Sequence, residues 1–152
     1  MNETLLVNAI KNGTVIDHIA TGQALRIIHL LALKGSNNTI TIGLNLPSKR
    51  IGKKDLIKIE DRILTEAEAN EIVVFAPAAT INVIKDFKVT KKIKTHLPDV
   101  MKAVFACPNP TCITHTETID SFFYIGQQSK SIKLICHYCD KIFDRDQVKV
   151  KI

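Results

Sequence analysis

Tryptophan is absent from the sequence, and aromatic residues make up only 5% of its 152 positions. A core must therefore be built from Ile, Leu, Val and Ala. The 45% hydrophobic content fits a globular chain rather than a disordered one. No apolar run approaches the length of a membrane span, and the stretch from Ile27 to Leu33 contains His29. The first residues, MNETLLVNAIKNGTVIDHI, lack a basic segment followed by an apolar one, so no secretory signal is read there. The expectation is a soluble cytoplasmic protein with no membrane attachment. Glycine-rich phosphate cradles are missing too, since neither G-x-x-x-x-G-K-[ST] nor G-x-G-x-x-G occurs. Nor is a second acid, nucleophile or metal-activated water placed for phosphate cleavage, which favours binding without turnover.

The first 106 positions hold no cysteine; Cys107, Cys112, Cys136 and Cys139 all follow them. This asymmetry divides the chain into residues 1–97 and 98–152, each expected to have its own core. The second part is too short for a dependable core and needs a staple. Its cysteines form C-x4-C and C-x2-C pairs separated by 23 residues. Two such loops on neighbouring hairpins bring four thiolates to one point, and a closed four-sulfur shell reads as structural Zn²⁺, one per chain. A redox dithiol at Cys136 and Cys139, unligated buried cysteines, and an iron-sulfur centre are the alternatives by ligand type. His115 and His137 are available as substitute ligands, but four cysteines leave them as surface histidines.

Local patterns give the elements. Thr14 to Ile19 reads as a strand after the turn at Asn12-Gly13, and Thr21 is placed to cap a helix to Leu33 with Leu25, Ile28 and Leu31 on one face. Thr39 to Leu44 and Lys54 to Glu60 read as strands around a loop from Pro47 to Gly52. Thr65 and Glu68 form a capping box for a helix ended by Pro77. Strands from Ala79 to Val83 and Phe87 to Lys91 follow, then a basic connector to Pro98. The order strand, helix, strand, strand, helix, strand is the split βαβ pattern of a ferredoxin-like α+β domain. Alternation in Met101–Phe105, Ser121–Ile125, Ile132–Cys136 and Gln147–Ile152 predicts a small antiparallel β domain around the metal.

The formal charge of +6 favours an anionic partner. Asp17 and His18 stand inside an apolar strand, where polar groups need partners, and a hydrogen-bonded structural pair would satisfy them. Lys54 and Lys58 share one strand face, and Lys88, Lys91, Lys92 and Lys94 crowd the last strand and connector. Taken alone, these lysines are a solvated edge that discourages strand addition. Together with Asp17 and His18 they offer ammonium groups for phosphates and a carboxylate for ribose hydroxyls.

The segments GTVIDHI (13–19), ITIGLNLPS (40–48), GKKDLIKIE (52–60), CPNPTCITH (107–115) and CHYC (136–139) resemble, in the same order and spacing, the aspartate carbamoyltransferase regulatory chain family. The resemblance spans nearly the whole chain. It implies a non-catalytic subunit of pyrimidine biosynthesis with an N-terminal allosteric domain binding CTP, ATP and often UTP, and a C-terminal zinc domain contacting the catalytic chain. In the family assembly, two catalytic trimers are joined by three regulatory dimers. The family's ribose and base contacts match Val7, Ile10, Asp17 and Lys58, its phosphate contacts match His18, Asn82, Val89 and Lys92, and Lys54 matches a further basic residue at that site. Asn109 and Lys141 match residues facing the catalytic chain. Phe87 stands where an aromatic with a hydroxyl is familiar, Thr4 replaces a lysine tied to a second nucleotide, and Thr111 and His137 depart from the interface pattern. The rival readings are a nucleic-acid-binding zinc ribbon, which the scarcity of aromatics and the lysines of the first domain disfavour, and a nucleotide-processing enzyme, which the missing catalytic constellation disfavours.

Overall fold

The computed structural model describes residues 8–33, 35 and 37–151. Its first part runs β1 (Gly13–Ile19), α1 (Ala24–Leu33), β2 (Ile40–Ser48), β3 (Gly52–Glu60), α2 (Glu66–Phe75), β4 (Thr80–Lys85) and β5 (Lys88–Lys92). These strands form one antiparallel sheet in the order β2-β3-β1-β4-β5. Placing β3 between β1 and β2 is the ferredoxin-like arrangement. Ile16, Ile57, Ile59 and Ile81 are buried from β1, β3 and β4 and join the buried faces of α1 and α2 in one core.

Backbone approach is closest at Gly13, where φ is 141° and a Cβ would lie 2.0 Å from the Ile59 carbonyl oxygen, so only glycine fits. Next to it, the buried Thr14 hydroxyl donates to the Arg62 carbonyl at 2.7 Å and accepts the Leu64 N–H at 3.3 Å. This pins the loop into α2. The expected capping box is present: Thr65 accepts from the Glu68 amide, and Glu68 returns the bond to the Thr65 amide.

Three local readings are corrected. The start of α1 is held by Asp55 rather than Thr21, through the Gly22 N–H at 3.0 Å and, more weakly, the Ala24 N–H at 3.4 Å. Its buried face is Ala24, Ile27, Leu30 and Leu31, leaving Leu25 exposed. Apolar residues occupy nearly every helical position, so their period did not set the frame. Finally, Pro47 and Ser48 pair with Lys53 and Gly52, which shortens the expected loop to a tight hairpin tip.

The second part contains β6 (Val100–Lys102), β7 (Phe105–Ala106), β8 (Phe122–Gln128), β9 (Ser131–Cys136), β10 (Ile142–Asp144) and β11 (Lys149–Val150). They build a four-stranded antiparallel sheet, β10-β9-β8-β6, and a two-stranded one, β11-β7. The expectation of separate cores does not hold. Phe75, at the end of α2, packs against Phe105 with ring centroids 5.7 Å apart, and Phe105 meets Phe123 edge-on at 5.8 Å. All three rings are fully buried, and the core is continuous across the two parts.

Candidate metal centre and polar sheet face

Cys107 follows β7, Cys112 precedes a 3-10 turn at Ile113–His115, Cys136 ends β9, and Cys139 lies in the turn into β10. Their four Sγ atoms all lie within 4.8 Å of one another. The Cys107–Cys139 and Cys112–Cys136 separations are each 3.8 Å. Thiolate bonds of about 2.3 Å to a tetrahedral ion make the edges of the tetrahedron about 3.8 Å, the length of these two separations, so the donors present fit such a metal. Disulfide sulfurs would be about 2 Å apart. The cysteines therefore form a metal site, and neither His115 nor His137 belongs to the cluster.

The surroundings of the sulfurs pull in both directions. Burial pushes the Cys139 thiol up, but the Lys141 N–H, the Asn109 side chain and the neighbouring thiols bring it down to about 7. Burial raises Cys107, with the Cys139 and Cys136 thiols adding to the rise and the Asn109 N–H opposing it. Burial also raises Cys136, against the N–H groups of Cys139 and Tyr138. A cation held by the four sulfurs would supply the positive charge that lets all four ionise. Around the ligands, Thr114 Oγ1 donates to Cys112 Sγ at 3.2 Å and His115 Nε2 meets the Cys107 carbonyl at 2.8 Å. Asn109 is buried, and its Oδ1 accepts from the Thr111 amide and hydroxyl. Lys141 is exposed beside Cys139.

The second site is the sheet face opposite α1 and α2. Thr41, Lys58, Val15, Asn82 and Lys92 occupy one continuous row across all five strands, each opposite the next. Partners directly opposite in an antiparallel ladder point to the same face, so the row carries two lysines and an amide side by side. Lys58 is only 9% exposed. Its Nζ donates to the Asn8 carbonyl at 2.7 Å, which brings the residues leading to Ile10 beside the row. Burial lowers the Lys58 pKa, with Asp17 opposing that fall and Lys54 adding to it.

Just beyond Val15, on the central strand, the chain bulges between Ile16 and Ile19. His18 sits there at φ 58°, a left-handed backbone that a histidine holds only under constraint. Its amide donates to Asp17 Oδ1 at 2.6 Å, and its Nδ1 lies 3.0 Å from the Thr80 hydroxyl. Asp17 Oδ1 also receives Lys54 Nζ at 2.8 Å. Burial pushes the Asp17 carboxyl up, but Lys54 and His18 together hold it below its ordinary value. The bulge thus aims two polar side chains at the same face as Lys58.

Asp17, His18, Lys54, Lys58, Asn82 and Lys92 therefore share this face, whereas Val89, exposed on the same edge strand β5 as Lys92, pairs with Ile84 outside the row. Asn82 Oδ1 is buried without a hydrogen-bond partner among the described residues. Val7 and Thr4 lie outside the described residues. Reading the sequence missed Thr80, whose register opposite Asp17 becomes visible only once β1 and β4 pair. It also missed Asp55, a carboxylate inside an apolar strand run between two lysines that was itself a signal. Among the described residues, no helix is long and apolar enough to cross a membrane.

Comparison with known proteins agrees with both halves of this description. The profile of the aspartate carbamoyltransferase regulatory chain, allosteric domain, matches residues 5–96, and that of the same chain's metal binding domain matches residues 99–149. An aspartate carbamoyltransferase regulatory chain from Chromobacterium violaceum is 48% identical over 148 residues, covering 97% of each chain. Those of Vibrio cholerae and Psychromonas ingrahamii are 46% and 49% identical over 144 residues, covering 95% of this chain and 93% and 95% of theirs. Matches of this identity over nearly the full length, together with the paired sheet and metal folds, place the chain in the aspartate carbamoyltransferase regulatory chain family, as a non-catalytic subunit with an allosteric and a metal-binding domain.

Proposed function

We propose that residues 1–97 bind CTP and ATP, and UTP as well, on the open sheet face, and that residues 98–152 hold one structural zinc and attach the chain to the catalytic chain of aspartate carbamoyltransferase. In this reading the chain works within two catalytic trimers joined by three regulatory dimers and adjusts flux into pyrimidine biosynthesis. Asp17 and Lys58 take the ribose and base, with Val7 and Ile10 beside them. His18, Asn82, Val89 and Lys92 take the phosphates, and Lys54 holds Asp17 and adds charge. Lys141 belongs to the surface facing the catalytic chain, with the largely buried Asn109 behind it.

The observation that carries the nucleotide reading is the row from Lys58 through Val15 and Asn82 to Lys92. Further along β1 from Val15, the row is flanked by His18, held in a left-handed backbone, and by an Asp17 that stays ionised. The Lys92 ammonium with His18 and the Asn82 amide matches a triphosphate at one end, and the Asp17 carboxylate with Lys58 matches the sugar and base at the other. Recognition is by side chains, in keeping with the absence of a glycine-rich cradle. Zinc is the natural occupant of the four-sulfur site, because its thiolate bond length reproduces the sulfur spacing. Calorimetric titration of the full chain with CTP tests the first site: saturable binding that Lys92→Ala weakens supports it, and no heat of binding removes it. Copurification with a carbamoyltransferase catalytic chain tests the attachment.

A further inference from the structure

Two arginines cross between the parts of the molecule in opposite directions. Arg26, on α1, donates through Nη2 to the Arg145 carbonyl at 2.9 Å and to the Val148 carbonyl, and through Nη1 to Asp146 Oδ1 at 3.2 Å. Arg145, in the 3-10 turn Arg145–Gln147 that leads into β11, returns the contact. Its Nη1 donates to the carbonyls of Val74 and Phe75 at 3.1 and 3.2 Å. Those carbonyls are at the C-terminal end of α2, where the helix has no acceptors' partners of its own and a cation is favoured. The Arg26 guanidinium also stands 5.2 Å from the centre of the Phe75 ring. Gln23, one turn before Arg26, donates to Asp146 at 3.2 Å.

We infer that Arg26 and Arg145 form a reciprocal clasp that sets the orientation of the metal-binding domain on the ferredoxin-like domain, and that both are positioning residues carrying the occupied state of the polar sheet face to that domain. This rests on the nucleotide reading above. The connection is physical at each step. Lys54 and Lys58 flank Asp55 on β3, and Asp55 fixes the first turn of α1 through Gly22 and Ala24. A ligand that draws the two lysines toward its phosphates or sugar shifts β3, and α1 moves with it because its first turn is tied there. Arg26 lies two residues beyond that tie.

The clasp is costly to open part-way. Phe75 and Val74 are fully buried, so moving Arg145 away strands two carbonyls unless a replacement donor arrives. Partial opening is therefore the least favourable state, which is the property a switch element needs.

The test uses the full chain with metal bound, CTP as the probe, and hydrogen exchange of the segment 145–151 as the readout. In the unaltered chain CTP should change exchange there by roughly fivefold or more, the lower end of ordinary allosteric coupling. In Arg26→Gln and Arg145→Gln, CTP affinity should stay within roughly threefold while that response disappears, because neither residue lies on the sheet face. A response of undiminished size in both variants, or CTP binding to the unaltered chain with no response in 145–151, overturns the clasp alone. No CTP binding to the unaltered chain removes the nucleotide reading and the clasp with it. Should Arg145→Gln release the metal, Arg26→Gln decides, since it leaves the Val74 and Phe75 carbonyls covered.

Discussion

Asp55 Oδ2 accepts the backbone N–H of Gly22 at 3.0 Å, so a carboxylate in the middle of a strand fixes where the first helix begins. Its other oxygen accepts the Asn45 N–H at 3.0 Å, at the bulge in β2. At 1% exposure, Asp55 has no water to replace these donors. Asp55→Ala should leave three amides short of an acceptor and lower stability by about 3 kcal/mol, at the usual 1–3 kcal/mol for a buried unsatisfied group with some relaxation. Urea unfolding monitored by circular dichroism measures this, and Asp55→Asn, which keeps one acceptor oxygen, should lose less. A midpoint unchanged by Asp55→Ala would show that the helix start is held by something else.

Patterns decided by neighbours in sequence were legible without coordinates. The capping box of Thr65 and Glu68, the stop at Pro77, the ferredoxin-like order of elements and the grouping of four cysteines all depend on residues a few positions apart or on simple spacing. What stayed hidden depends on register and packing. Nothing local shows that Lys58 and Asn82 face each other across Val15, that Asp55 reaches α1, or that Arg145 covers the end of α2. The two-core expectation failed for the same reason: Phe75 reads as the last residue of a helix, and only packing reveals Phe105 against it. The short strand Ile142–Asp144 was missed because three residues carry too little alternation to register.

Metal removal provides the second expectation. Structural zinc in small domains carries an apparent binding free energy of about 10–16 kcal/mol near neutral pH, so chelation should melt the sheets of residues 100–150. Because Phe105 and Phe123 continue the core from Phe75, the melting should also loosen the end of α2 instead of leaving the first part untouched. Elemental analysis should find one zinc per chain, and hydrogen exchange of α2 after chelation should rise. Affinity should fall as pH drops, since each thiolate must be protonated on release. Metal-free protein that kept full protection throughout residues 100–150 would contradict this.

The capping box sets a pH dependence whose sign is fixed. Burial pushes the Glu68 carboxyl up, but the Thr65 N–H and the Arg62 guanidinium pull it further down, so its folded pKa lies below 4.5. A depressed carboxylate contributes stability that is present above its unfolded value and is lost as pH falls through the folded one. Glu68→Gln should therefore be less stable than the parent by about 1 kcal/mol at pH 7, with the gap closing below about pH 4. Thermal melts of both proteins at pH 7 and pH 3 give the comparison; a gap that widened in acid would reverse the assignment.

At the sheet face, Lys92 should matter to the triphosphate and little to the fold. A unit charge pair about 4 Å apart is worth roughly 4 kcal/mol at an effective dielectric near 20, before desolvation. Even a third of that is tenfold in affinity. Lys92→Ala should weaken CTP binding at least roughly tenfold in calorimetry, and the loss should shrink with added salt because Lys92 is exposed. Unchanged affinity would take Lys92 out of the phosphate site.

The division of labour between the two halves yields the most discriminating outcome, because mutants of each should fail in different ways. Lys58 sits in the sheet row, far in sequence from the cysteines, and its loss leaves the four-sulfur site as it was. Lys58→Ala should therefore give an assembled complex with catalytic chains whose response to CTP and ATP is blunted. Cys136 belongs to the sulfur cluster and ends β9, the strand that pairs with both β8 and β10. Cys136→Ser removes a ligand and the strand end together, so it should release catalytic trimers that are active and indifferent to nucleotides. The continuous core adds a constraint that separate cores would not: the Cys136 variant should also bind CTP less tightly as an isolated chain, since α2 and the sheet above it lose the packing of Phe105. Allosteric coupling is usually about 1–3 kcal/mol, so the nucleotide effect on the intact complex should be roughly 5- to 150-fold in affinity. Size-exclusion chromatography paired with nucleotide titration of activity separates the cases. A Cys136 variant that stayed assembled and regulated would mean that attachment does not depend on the metal, and the assignment of the two halves would have to be redrawn.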